Sequence, residues 1–164
     1  MLGKKKYPEK LKNSLGKRPA TATKIAGQTE RWIAAWATEM AIIENDGSRQ
    51  TYEWYEFETA SWDDEARLLT LTFVEPGVEA LKITLDDDAN DYLLTMIHER
   101  VERSIVCQGF ADLPSGGVAR GQVRRRSDET LFVQIIVDRE PTSADLQAIN
   151  GLEIELRDMV GMVS

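Results

Sequence analysis

Apolar and polar residues alternate most regularly between residues 49 and 85. Tyr52 and Trp54 alternate with Thr51, Glu53 and Tyr55, a period of two that places both aromatics on one face of a strand. Glu56 breaks the alternation, and from Phe57 the inward set becomes Phe57, Ala60 and Trp62, which predicts a bend or bulge near Glu56. Residues 67–74 set Leu69, Leu71 and Phe73 against Thr70 and Thr72, the pattern of a half-buried strand. Leu81, Ile83 and Leu85 line one face of the next. Asp63, Asp64, Glu65 and Ala66 form a polar connection, and Pro76-Gly77 supplies the fixed φ and the positive φ of a tight turn. Three neighbouring antiparallel strands are the expected local structure.

On the N-terminal side, residues 31–37 and 40–44 read as two strands, with Trp32, Ala34 and Trp36 on one face of the first. Asn45-Asp46-Gly47 then predicts a type I′ hairpin turn. On the C-terminal side a helix is expected over 89–105, opened by Asp86, Asp87 and Asp88. Its core stripe is Leu93, Leu94, Ile97, Val101 and Ile105; Glu99 and Arg103 stand at i,i+4 on a solvated face. Tyr92 and Met96 fall outside the stripe, where they either cover a linker or form a small partner patch. Residues 118–126 and 129–138 predict a final hairpin across Ser127-Asp128. Its second strand is apolar on both faces, as in a doubly covered central strand. A last helix starts at Pro141-Thr142-Ser143, with Thr142 or Ser143 as N-cap and Asp145 in the first turn. Ile149, Leu152, Leu156, Met159 and Val160 form its stripe, and Gly161 stands in a C-cap position.

Charge divides the chain in two. The net charge is −8, yet residues 1–28 hold eight Lys or Arg against the single acid Glu9, a segment of +7 that leaves −15 for the remainder. This composition predicts a basic, disordered tail over 1–28 and one α+β domain over 29–164. The tail is either a solubilising arm, which can fold back on the acidic body, or a contact for a polyanion, lipid or acidic partner; if it docks in a fixed conformation, Tyr7, Leu11, Leu15 and Ile25 are the residues to anchor it. A chain of 164 residues can bury an adequate core without staples. The single Cys107 rules out an intrachain disulfide, and with no apolar run of about 18 residues the expectation is a cytoplasmic protein.

Candidate chemistry is sparse. His98-Glu99-Arg100-Val101-Glu102 resembles the start of a zinc-protease helix but has Glu102 where the second His belongs, and His98 is the only His. One His and one Cys leave too few parts for a nucleophilic dyad, so no catalytic residue, metal or cofactor is expected. The acidic runs 86–91 and 63–65 lack the ligand spacing of a calcium loop and read as helix cap and turn. Arg120, Arg124 and Arg126 are the one basic group on the acidic body, sharing a strand face with Gln122. Guanidinium forks match carboxylate and phosphate, so these three are the candidate partner-binding residues. The competing explanation is an edge strand blunted with charge.

Tyr52-x-Trp54-x-x-Phe57-x-x-Ala60-x-Trp62-Asp63, following a strand pair, together with Glu99 to Val106 and a hairpin containing Val-Arg-Arg-Arg, resembles small uncharacterised actinobacterial proteins with a pleckstrin-homology-like (PH-like) fold. The resemblance implies strongly bent antiparallel sheets or a partly open barrel of about eight strands with two packed helices. It carries over no activity or binding residue. The function expected is a non-enzymatic interaction module that binds a protein or an acidic ligand; the alternatives are a small-ligand-binding barrel and, third, an enzyme.

Overall fold

The computed structural model describes residues 7–87 and 91–162. Lys4 to Lys6 of the basic segment, and the expected helix start at Asp88 and Ala89, lie outside them. Strands β1 (Thr21–Ile25), β2 (Arg31–Ala35), β3 (Glu39–Ile43) and β4 (Arg49–Glu53) form a four-stranded antiparallel meander. The β3–β4 connection turns at Asn45-Asp46-Gly47, but not as type I′. That turn needs positive φ at both central residues, and only Gly47 has it, at 89°. Gly47 N donates to the Glu44 carbonyl and Glu44 N to the Ser48 carbonyl, while Asp46 accepts from the Ser48 amide and hydroxyl. These bonds suit a type I turn closed by glycine.

The bend expected near Glu56 is a 3-10 turn, Trp54–Glu56, in which the Glu56 carboxylate accepts from the Glu53 amide at 2.7 Å. It re-aims the chain into a second antiparallel sheet of β5 (Phe57–Asp63), β6 (Leu68–Phe73) and β7 (Leu81–Thr84), with a register shift between Phe57 and Thr59. Helix α1 (Asp91–Arg103) follows. The third sheet, β8 (Ile105–Asp112), β9 (Val118–Arg125) and β10 (Leu131–Ile136), has β9 in the middle, and helix α2 (Ser143–Met159) ends the fold. The class is α+β as expected, and the described residues hold ten strands in three antiparallel sheets that do not close into a barrel.

The two strands beyond the expected eight are β1 and β8. The Thr-Ala-Thr run of β1 reads as linker, yet Thr21, Ala22 and Thr23 are all buried against β2, because β-branched threonine suits a pleated surface. The apolar stripe of α1 continues on paper to Ile105, but the chain leaves the helix at Ser104. That hydroxyl donates to the Val101 carbonyl at 2.6 Å and offers the backbone an alternative to another helical turn.

Three cores result. The first lies between the first two sheets and α1 and contains Ile33, Met40, Trp54, Phe57, Leu71, Leu93, Met96 and Ile97. Met96 therefore belongs to the core, whereas Tyr92 is exposed. Trp62 is only half-buried, with its ring under the Arg67 guanidinium. The third core joins α2 to one face of the third sheet, where a Cβ on Gly121 would collide with Leu156.

The second core corrects the expectation of a detached tail. Residues 7–20 cross the outer face of the first sheet, with Leu11 fully buried among Ala34, Trp36, Ala41 and Ile43 and with Tyr7 edge-on to Trp32. Trp36 Nε1 donates to the Lys17 carbonyl at 3.0 Å, and Asn13 Nδ2 donates to Glu39 at 3.1 Å. A few apolar anchors and backbone bonds hold the segment where its charge pattern suggested solvent. Lys10–Glu30 at 3.5 Å adds little, being a partly exposed pair.

Strand β10 is also corrected. It is an edge strand, half-buried along its whole length, and not a central strand covered twice. The arginines of β9 accordingly do not blunt an edge.

Candidate anion-binding site

Alternation along β9 puts Arg120, Gln122 and Arg124 on the face opposite α2, while Ala119, Gly121 and Val123 face the helix. The three candidate arginines then meet different fates. Arg120 forms an ion pair with Glu58 of β5 and is neutralised there. Arg124 is fully buried. Its Nη1 donates to Gln122 Oε1 at 3.0 Å, and its Nη2 donates to the Phe57 carbonyl at 2.6 Å and to Ser104 Oγ at 2.7 Å. Its Nε and the nearby strand's Gln134 Oε1 have no partner among the described residues. Burial first, and the neighbouring Arg120 second, lower the Arg124 guanidinium to about 10, so it remains charged at neutral pH. Arg126, just past β9, is exposed, its guanidinium 4.1 Å from the Phe132 ring centroid and 6.0 Å from that of Tyr55. Cation–π contact holds it in place. The expected trio is therefore not a site.

Arg126 instead joins a different group. A recess of about 100 Å³ opens between the β2–β3 link (Ala37), the 3-10 turn (Trp54, Tyr55), the end of α1 (Arg100, Arg103, Ser104) and the β9–β10 hairpin (Arg125, Arg126, Ser127, Glu129). The hairpin is pinned across it by Ser127 Oγ, which donates to the Thr38 carbonyl at 2.8 Å. Arg125 is paired with Glu129 at 3.3 Å. Arg100 and Arg103 make no ion pair with any described residue, Glu99 included. A second recess, of about 130 Å³, continues along α1 past Tyr92, Thr95, Met96 and Glu99 and shares Arg100 and Arg103. Glu53 bounds the positive region. Its carboxylate, by hydrogen bonding, and then burial raise the Tyr55 phenol above its ordinary value.

Sequence reasoning missed Arg100 and Arg103. Their i,i+3 spacing in the last turn of α1 was the available signal, but cations there also suit the negative end of the helix dipole. Only the hairpin brought alongside makes them part of a cluster.

The remaining candidates stay apart. His98 is exposed, Cys107 is a half-buried free thiol against the third core, and no group of three or more His, Cys, Asp or Glu converges among the described residues. A cleft of about 300 Å³ between β7 and the first sheet is open and edged by Arg31, Gln50, Lys82 and Thr84, unlike the closed apolar cavity of a ligand-binding barrel. No helix among the described residues is long and apolar enough to cross a membrane. No family model, curated protein or solved structure matches the chain.

Proposed function

We propose that the protein is a non-enzymatic interaction module that holds an acidic group of a partner protein or ligand in the arginine recess. The observation that carries this reading is the pair Arg100 and Arg103, without an ion pair among the described residues of a chain of net charge −8 and lining one small opening together with Arg125 and Arg126. Guanidinium groups gathered in a concave recess attract carboxylate or phosphate more strongly than the same charges on a flat surface. A PH-like arrangement is part of the proposal. A four-stranded and a three-stranded meander followed by a helix support it over residues 21–103, with the third sheet and α2 added beyond.

The test is calorimetric titration of the full chain with a short poly-glutamate peptide, beside the variant R100Q/R103Q. Saturable, salt-sensitive binding that the variant loses by about tenfold, equivalent to about 1.4 kcal/mol, supports the module. Binding that the variant keeps in full moves the site elsewhere.

A further inference from the structure

The geometry points to a doubly charged phosphate group, as on a phosphomonoester, as the natural occupant of the recess in preference to a single carboxylate. This rests on the acidic-ligand reading above and narrows its chemistry. Charge is the first ground. Four guanidinium groups line the opening against the carboxylate of Glu129, with that of Glu53 at its edge on Ser127, so one negative charge still leaves the site positive. Behind the lining stands a fifth cation. Arg124 touches Ser104, itself part of the wall, at 2.7 Å, and its hydrogen-bond partners among the described residues are all uncharged: Gln122, the Phe57 carbonyl and Ser104. A buried cation without a counter-charge among the described residues is costly, and an anion in the recess, separated from it by Ser104, would offset part of that cost.

Size and donor chemistry are the further grounds. Sites for drug-sized molecules occupy roughly 300–1,000 Å³; about 100 Å³ admits one compact headgroup. The Ser104 hydroxyl donates to Val101, the Ser127 hydroxyl to Thr38, the Tyr55 hydroxyl to Glu53 and the Trp54 indole to the Trp36 carbonyl, so the side-chain donors left for a ligand are the arginines. Several guanidinium groups lining one recess from two elements suit an anion with three exposed oxygens better than a planar carboxylate with two.

The experiment titrates the full chain by NMR or calorimetry at pH 8, where a phosphate group is dianionic, with inorganic phosphate, phosphoserine and acetate at constant ionic strength. Phosphate and phosphoserine are expected to bind at least about tenfold more tightly than acetate, a gap of about 1.4 kcal/mol, and R100Q/R103Q to abolish the difference. Tighter binding of phosphoserine than of phosphate assigns the group to a modified side chain, and equal binding to a free anion; both uphold the inference. Acetate binding as tightly as phosphate overturns it while leaving the acidic-ligand reading intact. No binding of any probe, in a folded protein, overturns both. Arg124→Met supplies a second readout: if it folds, phosphate affinity falls while acetate affinity changes less.

Discussion

Arg124 Nη2 and Ser104 Oγ lie 2.7 Å apart, and through that contact the middle strand of the third sheet grips the point where α1 ends. The same nitrogen donates to the Phe57 carbonyl at 2.6 Å, so one side chain links the third sheet to the start of the second. Its removal exposes two separable effects. Arg124→Ala leaves a void and the Phe57 carbonyl without this donor, a loss of about 2–4 kcal/mol. Arg124→Met fills most of the space and removes a buried charge but leaves the same carbonyl without its donor, so it is expected to cost about 1–3 kcal/mol, less than Arg124→Ala. Urea unfolding of both variants measures the gap. Equal losses would show that the hydrogen bonds, and not the volume, dominate.

The N-terminal segment belongs to the fold. Leu11→Ala empties a fully buried site beside Trp36 and Ile43, with an expected loss of about 2–5 kcal/mol. Deleting residues 1–24 removes most of β1 as well and is expected to lower the melting temperature by many degrees. An unchanged melting curve for either would return the segment to solvent.

Helix α2 sits directly on a glycine. The Cβ of Gly121→Ala would collide with Leu156 and press on Ile135 and Leu152 at 3.1 Å, whereas at Gly109 the nearest atom is 3.4 Å away. Gly121→Ala is expected to cost about 1–3 kcal/mol by overpacking and Gly109→Ala distinctly less. Thermal unfolding of the two variants ranks them, and the reverse order would contradict the placement of α2.

Acid stability depends on Asp145. This buried carboxylate accepts from the Ser115 hydroxyl and amide and from the Thr142 amide, closing a capping box on α2. The Ser115 hydroxyl first, then the amides, hold it well below the usual carboxylate range. Because the unfolded chain takes up this proton at higher pH than the folded one, the contribution is complete above the ordinary value of 3.8 and is lost as pH falls through the lower folded value. Asp145→Asn should flatten that part of the stability profile below about pH 4. A variant with the wild-type acid limb would assign the dependence to other groups.

Much of the fold was legible because two signals agree over most of the chain. Period-two alternation and turn residues located β4 to β7 and the β9–β10 hairpin, and Thr142 with Asp145 marked the start of α2. Where one signal spoke alone, it misled. Charge made residues 7–28 look detached although Leu11 and the threonines of β1 are buried, and an unbroken apolar stripe hid the exit from α1 at Ser104. Trp54 and Trp62 looked alike in sequence; Trp54 is buried with its Nε1 on the Trp36 carbonyl at 3.1 Å, and Trp62 is half-open. The arginine site was legible by residue type but not by membership. Strand parity groups Arg120, Arg124 and Arg126, and only tertiary structure shows Glu58 taking the first, the interior taking the second, and α1 supplying Arg100 and Arg103 beside the third.

The most direct test of the recess is a crystal structure of the full chain with tungstate, a compact dianion whose tungsten is located by anomalous scattering. The account predicts a strong anomalous peak within hydrogen-bonding reach of Arg100, Arg103 and Arg126. A peak confined to the N-terminal lysines or to the cleft beside Arg31 and Lys82, or no peak at the recess, would contradict it.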